Sequence, residues 1–253
     1  MINTIDEKNS TSDITSNLVI WLNASSLELE NKTEIDEWPS KSPGTITGKS
    51  YLYGTAKIRP KYYNNEEYPF VRMSDSSGGV LNGSFINFGN MDINASSGIT
   101  IAFCIRPMSL HGYERYLTFV ITNPEYSYGI WISRNNTSNN FQVILLDSSG
   151  AGALGNWPMY NNNNIVNKWI YFAVRINAVS CKINDISGMT TYTPISGISN
   201  FVTNNTKIGA CGPLEYPTDF PVFDIRDFLY YDRFLSDSEI DTVINNFKSS
   251  YGM

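Results

Sequence analysis

Histidine and cysteine are scarce in this 253-residue chain, which carries one histidine and three cysteines. Cys104, Cys181 and Cys211 are widely separated and form no C-x-x-C pair, so the sequence indicates neither a disulfide framework nor a zinc motif. His111 could serve a serine-type triad, but no G-x-S-x-G motif accompanies it and its neighbours, HGYERY, are typical of a loop. We therefore expect no thiol, zinc or triad chemistry.

Basic charge and long apolar runs are also lacking. Charged residues make up 17% of the chain, the formal net charge is -6 and the isoelectric point is about 4.8. This balance argues against a basic groove, so we expect no nucleic-acid partner. No run approaches the ~18 apolar residues of a membrane helix. The first residues also lack the apolar core of a secretory signal peptide, so we expect no membrane insertion.

What the chain does contain is aromatic residues and short alternating apolar runs. Aromatic residues make up 13% of the sequence and hydrophobic residues 42%. In ITIAFCIR, alternation places Ile99, Ile101, Phe103 and Ile105 on one face of a strand. Roughly a dozen such segments separated by turn signals predict an all-β fold. We expect a two-sheet antiparallel β-sandwich of the jelly-roll type with one short C-terminal helix.

The C-terminal helix is the most sharply marked element. Ser236 and Glu239 fit the S-x-x-E capping box, and Gly252 is a suitable stop. An apolar stripe at helical spacing lies between them, formed by Ile240, Val243, Ile244 and Phe247. Before the helix, Phe223, Ile225 and Leu229 alternate with more polar residues, which predicts a strand with one face in the core.

Residues 1–17 differ from the remainder because they are polar and show no periodicity. We interpret them as a flexible N-terminal arm, either a frayed end or a docking segment. Residues 18–253 show no linker or internal repeat, and we interpret them as one β-sandwich domain.

Motifs at both ends and in the middle resemble concanavalin A-like/laminin G-like domains. The C-terminal signature Y-x-R-x-L-S-x-x-E-I is matched by Tyr231, Arg233, Leu235, Ser236, Glu239 and Ile240. The opening W-L-D-A-S pattern is matched by Trp21, Leu22, Ala24 and Ser25, with Asn23 where an aspartate is common. Trp169 and Ala173 match a W-x-x-x-A-V strand. The resemblance implies a jelly-roll sandwich, a fold that hosts lectins, adhesion modules, virion proteins, glycanases and lyases.

An active site is not apparent from the carboxylates. Glycanases of this fold carry E-x-D-x-x-E, and here Glu34 and Asp36 begin that pattern but Pro39 ends it. Other acids, namely Asp224, Asp227 and Asp232, lie in the C-terminal signature, which the resemblance assigns to the scaffold. We therefore expect no catalytic residues, and a glycoside hydrolase or polysaccharide lyase remains the alternative.

We likewise predict no resident cofactor, with calcium as the open alternative. Laminin G-like domains often hold one Ca²⁺ at the rim of the sandwich through aspartate and asparagine oxygens. The residues in suitable loops are Asp75, Asp92 and Asp147, but no D-x-D-x-D-G run exists. No metal ligand is assigned.

Residues 147–167 form the best candidate for a ligand-binding loop. Trp157 and Tyr160 offer flat apolar faces, and Asn161 offers an amide, the combination that sugar recognition uses. Tyr126 and Tyr113 flank neighbouring turns. The competing interpretation is that Trp157 only pins a long loop onto the sandwich.

These observations predict a non-catalytic recognition or structural module whose loops bind a glycan or a protein surface. Without a visible signal peptide, we expect a capsid or tail decoration on a virion, bound to other virion proteins, or another extracellular surface. A cytoplasmic location is the alternative.

Overall fold

The structure is a computed structural model that describes residues 14–44, 46–54, 59–74, 83–108, 114–123, 126–134, 140–146, 153–161, 165–185, 188–192, 200–211 and 220–252. Its first strands are β1 (Leu18–Asn23), β2 (Glu37–Pro39), β3 (Thr47–Tyr53), β4 (Lys61–Tyr63), β5 (Phe70–Met73), β6 (Gly83–Gly89), β7 (Asp92–Ile93), β8 (Ile99–Pro107) and β9 (Glu114–Asn123). The remaining strands are β10 (Tyr126–Arg134), β11 (Asn140–Leu146), β12 (Ala153–Asn161), β13 (Ile170–Ile176), β14 (Cys181–Asp185), β15 (Gly188–Tyr192), β16 (Phe201–Val202), β17 (Asn205–Ile208) and β18 (Phe223–Tyr231). A 3-10 turn spans Ala24–Ser26, and the helix α1 spans Asp237–Tyr251.

Two large antiparallel sheets form a sandwich, so the predicted all-β fold is confirmed. The first sheet has the order β15-β14-β13-β8-β18-β5-β4, and β1 also pairs with β18. The second sheet has the order β12-β11-β10-β9-β17-β6-β3-β2, and β7 pairs with β16 in a separate small sheet. The first and last strands of the sandwich are therefore neighbours in one sheet.

The main core lies between the two sheets. Ile99, Ile101, Phe103 and Ile105 of β8 all belong to it and are fully buried, as their alternation predicts. A second cluster lies on the outer face of the first sheet, where α1 covers Ala102, Cys104, Tyr171, Ala173, Leu229 and Tyr231. The first sheet is therefore buried on both faces over much of its area.

The helix α1 forms as its sequence pattern predicts. The Ser236 hydroxyl accepts from the backbone N–H of Glu239, and the Glu239 carboxylate accepts from the backbone N–H of Ser236 at 2.7 Å. Gly252 ends the helix in the left-handed conformation, with φ of 63°, and its N–H donates to the carbonyl of Lys248. The buried stripe comprises Ile240, Val243, Ile244, Phe247 and Tyr251.

Strand β18 differs from the prediction of one apolar face. All nine of its residues are buried, and its register against β8 shifts between Ile225 and Asp227. This bulge reverses the alternation, so Ile225 faces the main core whereas Leu229 faces α1. The shift coincides with a change of partner, since β5 pairs with residues 223–225 and β1 pairs with residues 227–231.

Residues 14–17 form a turn that leads into β1. The carbonyl of Asn17 accepts from the N–H of Asp232 at 3.0 Å, and that of Ser16 accepts from Arg233 Nε at 2.9 Å. Residues 1–13 lie outside the described part, so the flexible arm and its boundary at residue 17 stay predictions. Within the described residues, no helix has the length and apolar character needed to cross a membrane.

Candidate functional site

A cavity of about 610 Å³ opens between β1, β18 and α1, on the outer face of the first sheet. Its volume lies within the roughly 300–1,000 Å³ of small-molecule sites. The lining residues are Ile14, Thr15, Leu18, Trp21, Asn23, Ser25, Tyr68, Asp227, Leu229, Tyr231, Val243, Asn246, Phe247, Ser250 and Tyr251. Most of this surface is apolar or aromatic, and a few polar groups interrupt it.

The bulge in β18 is what brings a carboxylate into this cavity. Because one residue is inserted between Ile225 and Asp227, both Arg226 and Asp227 contact Tyr251 on the outer face of the sheet. Asp227 lies opposite Asn23 of β1 and opposite Cys104 of β8. The local irregularity therefore supplies a charged group where regular alternation would have turned it towards the core.

Asp227 is 4% exposed and accepts hydrogen bonds from three neutral donors. Its Oδ1 accepts from Trp21 Nε1 at 3.0 Å and from Asn23 Nδ2 at 2.9 Å. Its Oδ2 accepts from the hydroxyl of Tyr251. Asn23 Nδ2 also lies 3.3 Å from the Tyr251 hydroxyl, so the first strand, the last strand and α1 meet in one network.

Burial dominates the electrostatics of this network. It raises the pKa of Asp227 from 3.8 to about 6, although the hydrogen bonds from Tyr251, Asn23 and Trp21 and the charge of Lys41 oppose the rise. Burial and the Asp227 charge also raise the pKa of the Tyr251 phenol, which therefore stays a hydrogen-bond donor. At neutral pH the cavity thus carries an ionised, strongly accepting group.

Aromatic rings form the walls around this carboxylate. Trp21, Tyr68, Tyr231 and Tyr251 all line the cavity, and the rings of Tyr68 and Tyr251 meet edge to face at 5.5 Å. Lys41 Nζ lies 4.5 Å from the centre of the Trp21 ring, which helps to hold that ring in position. The site can therefore offer flat apolar faces and hydrogen-bond acceptors to one ligand.

The predicted ligand-binding residues lie elsewhere, on the second sheet. Residues 153–161 form the edge strand β12, whose register against β11 shifts twice, so the prediction of a loop over residues 147–167 is wrong for this stretch. Trp157 is opposite Val143, Tyr160 is opposite Phe141, and Asn161 is opposite Asn140 of β11. The strand was missed because Gly155 and Pro158 lie within it, and these residue types normally indicate loops.

The remaining candidates are dispersed. Tyr126 begins β10, opposite Asn123 of β9, and Tyr113 lies outside the described residues. Trp157, Tyr160 and Asn161 thus share one strand, but the structure does not join them to the cavity. Their role in ligand binding stays a prediction.

The carboxylates considered for catalysis and calcium also separate. Asp36 is exposed and forms an ion pair with Arg59 at 3.0 Å, and Asp92 is exposed in β7. His111, Asp75 and Asp147 lie outside the described part of the chain. Among the residues that the structure describes, no group of three or more histidine, cysteine or acidic side chains could hold a metal ion. Calcium stays the open alternative to the predicted lack of a cofactor.

The sequence did not predict a site at the cavity residues. Trp21 and Asn23 were noted only as part of the opening W-L-D-A-S motif, and Asp227 was assigned to the scaffold. Their pairing in register is set by contacts between residues about 200 positions apart, such as Trp21 with Asp227. The one local signal was a tyrosine, Tyr251, at the end of the helical stripe.

Comparison with known proteins gives a result at the level of structure. No family model matches the chain, and no curated protein matches it. The receptor-binding domain of botulinum neurotoxin D matches with a TM-score of 0.61 and 14% identity, over 92% of this chain and 53% of that chain. This chain shares the fold of the part of that domain over which the two align.

Two further solved structures are similar to this chain to the same degree. The ligand-binding domain of botulinum neurotoxin serotype D in complex with N-acetylneuraminic acid has a TM-score of 0.62 and 14% identity, over 92% of this chain and 52% of that chain. The binding domain of botulinum neurotoxin DC in complex with rat synaptotagmin II has a TM-score of 0.61 and 15% identity, over 92% and 52% of the two chains. The chain spans about half the length of these neighbours. Membership in the laminin G-like family stays a prediction.

Proposed function

We propose that this chain is a non-catalytic recognition module that binds a glycan in the cavity between β1, β18 and α1. The observation that carries the proposal is the position of Trp21 and Tyr251, whose rings line the cavity while their polar ends donate to Asp227. A sugar has an apolar C–H face that stacks on such rings, and its hydroxyls donate to a carboxylate.

The polar groups of the cavity suit hydroxyl recognition. Asp227 has two oxygens with about four acceptor positions, of which Trp21, Asn23 and Tyr251 use three. A ligand hydroxyl can take the remaining position. Ser250 and Asn246 of α1 add further polar groups at the cavity wall.

The structural neighbours support a recognition role at a coarser level. Their descriptions name receptor binding, N-acetylneuraminic acid and synaptotagmin II. These ligands belong to those proteins, and they support a glycan or a protein as the class of partner for this chain.

A protein partner is the second candidate, and the edge strand β12 favours it. This nine-residue strand pairs with β11 on one side and ends the second sheet. An edge strand can receive a strand from another chain, and Trp157, Tyr160 and Asn161 lie on it. The predicted ligand-binding residues fit this role as part of a protein interface.

The glycosidase or lyase alternative has less support. Glycoside hydrolysis uses two carboxyl groups about 5–9.5 Å apart. Among the residues that line the described cavity, Asp227 carries the one carboxylate. The neighbours are binding domains, which is compatible with a module that is not an enzyme.

The proposal extends to a location on the surface of a virion or another extracellular surface. It is motivated by the C-terminal motif at Tyr231, Arg233 and Leu235, which resembles a fold that also hosts virion proteins. Fractionation of native material tests it, because the chain should co-purify with an assembled particle. Recovery from the cytoplasmic fraction alone would contradict this location.

A pair of tryptophan variants tests which surface binds. Trp21→Ala should abolish binding on a glycan array, whereas Trp157→Ala should leave it unchanged. The melting temperature of both variants serves as the control for folding, and Trp21→Phe should retain part of the binding because it keeps an aromatic face. Loss of binding with Trp157→Ala alone would transfer the site to β12. Equal binding by both variants would overturn the proposal.

A further inference from the structure

Beside the cavity, three arginines and two acids form a second polar cluster on the same outer face. Asp224 is fully buried and accepts hydrogen bonds from Arg72 Nε at 2.7 Å and Arg72 Nη2 at 2.9 Å. It also accepts hydrogen bonds from Arg106 Nε at 2.8 Å and Arg106 Nη2 at 2.6 Å. Two guanidinium groups therefore satisfy this one carboxylate completely.

Glu66 supplies the other negative charge of the cluster. Its Oε1 lies 2.8 Å from Arg106 Nη2, but its Oε2 lies 3.7 Å from Arg226 Nη2, which is beyond hydrogen-bond distance. Arg72 and Arg106 thus each have a carboxylate oxygen within 2.8 Å, whereas the nearest one to Arg226 lies at 3.7 Å. The adjacent Asp227 directs its oxygens to Trp21, Asn23 and Tyr251 instead.

Arg226 is held by rings instead of hydrogen bonds. Its guanidinium carbon lies 3.8 Å from the ring centre of Trp169, 5.0 Å from that of Tyr251 and 5.2 Å from that of Tyr68. The side chain is 5% exposed, and its Nε has no partner in the described structure. Burial also lowers the pKa of Arg226. A cation this poorly compensated is costly to keep in the folded state, unless another anion can reach it.

The position of Arg226 connects it to the cavity. Tyr68 and Tyr251 line the cavity, and both rings also contact the Arg226 guanidinium. A ligand that stacks on these tyrosines can therefore extend a substituent towards Arg226. Glu66, whose side chain is 34% exposed, already holds a carboxylate near that point.

We infer that Arg226 forms a carboxylate-binding subsite next to the cavity, and that the ligand is a sugar bearing a carboxylate. The inference rests on the proposed function, because it assigns the sugar ring to the cavity. Guanidinium groups recognise carboxylates through two parallel hydrogen bonds, and Glu66 marks the place that the ligand carboxylate takes. An acidic peptide would use the same charge without needing the cavity, so the shared tyrosines favour the sugar.

A nuclear magnetic resonance titration of the full chain separates the two claims. Methyl glucoside and methyl glucuronide are matched probes that differ by one carboxylate. Both should shift the indole N–H signal of Trp21, whereas the glucuronide alone should shift that of Trp169 and should bind roughly tenfold more tightly. No shift of Trp21 with either probe would overturn the proposed function. A Trp21 shift with equal affinity for both probes would overturn only the acidic-sugar inference.

Two charge variants sharpen the test because they act in opposite directions. Arg226→Gln should remove the preference for the glucuronide. Glu66→Gln should increase glucuronide affinity and leave glucoside affinity unchanged, because it removes a competing charge 3.7 Å from Arg226. Arg59→Gln is the control, since Arg59 pairs with Asp36 away from the cluster.

The Glu66→Gln arm also keeps the test decisive if Arg226→Gln fails to fold. Weaker glucuronide binding by Glu66→Gln would overturn the inference, because a displaced competitor cannot assist binding. A polyglutamate peptide provides the last comparison. If it shifts Trp169 more strongly than the glucuronide does, without moving Trp21, the acidic-sugar assignment is wrong and the subsite serves a peptide.

Discussion

Two buried aspartates lie three positions apart on β18, and the protein compensates them in different ways. Asp224 receives four charge-assisted hydrogen bonds from Arg72 and Arg106. Asp227 accepts hydrogen bonds from three neutral side chains, a tryptophan, an asparagine and a tyrosine. The bulge between Ile225 and Asp227 separates the two environments.

The comparison teaches how one strand can carry both a structural and a functional carboxylate. Paired guanidinium groups cancel the charge of Asp224 and fix it between β5 and β8. Neutral donors orient Asp227 but leave its charge facing the cavity, where a ligand can use it. Charge compensation, more than burial alone, distinguishes the two sites.

The largest expected effect is the loss of the Asp224 charge. Asp224→Asn should destabilise the fold by about 3 kcal/mol, the lower end for a broken buried ion pair, because it leaves the half-buried Arg72 without its anion and leaves Arg106 with Glu66 alone. Urea denaturation measures the change. Asp36→Asn is the matched control and should cost at most about 1 kcal/mol, since that ion pair is exposed. Similar costs for the two variants would contradict the structural role of Asp224.

Asp227, in contrast, should make the free energy of unfolding depend on pH. Its pKa is raised to about 6 in the folded state, so the folded protein binds a proton that the unfolded chain has already lost between pH 4 and pH 6. Stability due to this group is therefore present below pH 4 and is lost as the pH rises through 6. The difference from 3.8 corresponds to about 3 kcal/mol.

Asp227→Asn isolates that contribution, because an amide does not titrate. The stability of the wild type relative to this variant should fall by about 3 kcal/mol between pH 3.5 and pH 7. Tyr251, whose hydroxyl donates to Asp227, stays protonated over this interval because burial and the Asp227 charge raise its pKa. A constant difference across the interval would mean that Asp227 is as well compensated as Asp224.

A smaller change probes the donor that α1 supplies. Tyr251→Phe removes the hydroxyl that donates to Asp227 and should cost about 1.5–3 kcal/mol at neutral pH. It should also move the pH-dependent loss of stability to higher pH, since the hydrogen bond from Tyr251 lowers the pKa of Asp227. Tyr230→Phe is the control, because the buried Tyr230 hydroxyl has no partner in the described structure. Equal pH profiles for both variants would contradict the network.

The smallest effect concerns the opposite end of α1. Ser236→Ala removes the cap on the Glu239 N–H and should cost about 1 kcal/mol by denaturation. Its pH profile between about 5.5 and 7 should match that of the wild type, because the cap does not contact Asp227 and Glu239, whose pKa the Ser236 hydrogen bonds help to lower, titrates at lower pH. A changed profile would show that the helix position controls the carboxylate indirectly.

The elements that the sequence predicted well are those specified by neighbouring residues. The capping box at Ser236 and Glu239 and the glycine stop at Gly252 are local signals, and all three are observed. The alternation from Ile99 to Ile105 was also sufficient, because β8 is regular over those residues.

The candidate site escaped prediction because it depends on contacts between distant parts of the chain. No local sequence pattern predicts the bulge at Asp227, because the bulge occurs where the pairing partner of β18 changes from β5 to β1. The strand β12 was missed for a related reason, because its pairing with β11 overrides the turn signals of Gly155 and Pro158. Predicting either feature required the identity of the partner strand.

The pairing of β1 with β18 has a practical consequence for any segment attached to this sandwich. Ile14 and Tyr251 line the same cavity, so a label attached at either residue would lie at its rim. An affinity tag or fluorescent fusion at either position would stand over the opening and could mimic inhibition. Labels for ligand measurements therefore belong on the far side, for example at the exposed Leu52 of β3.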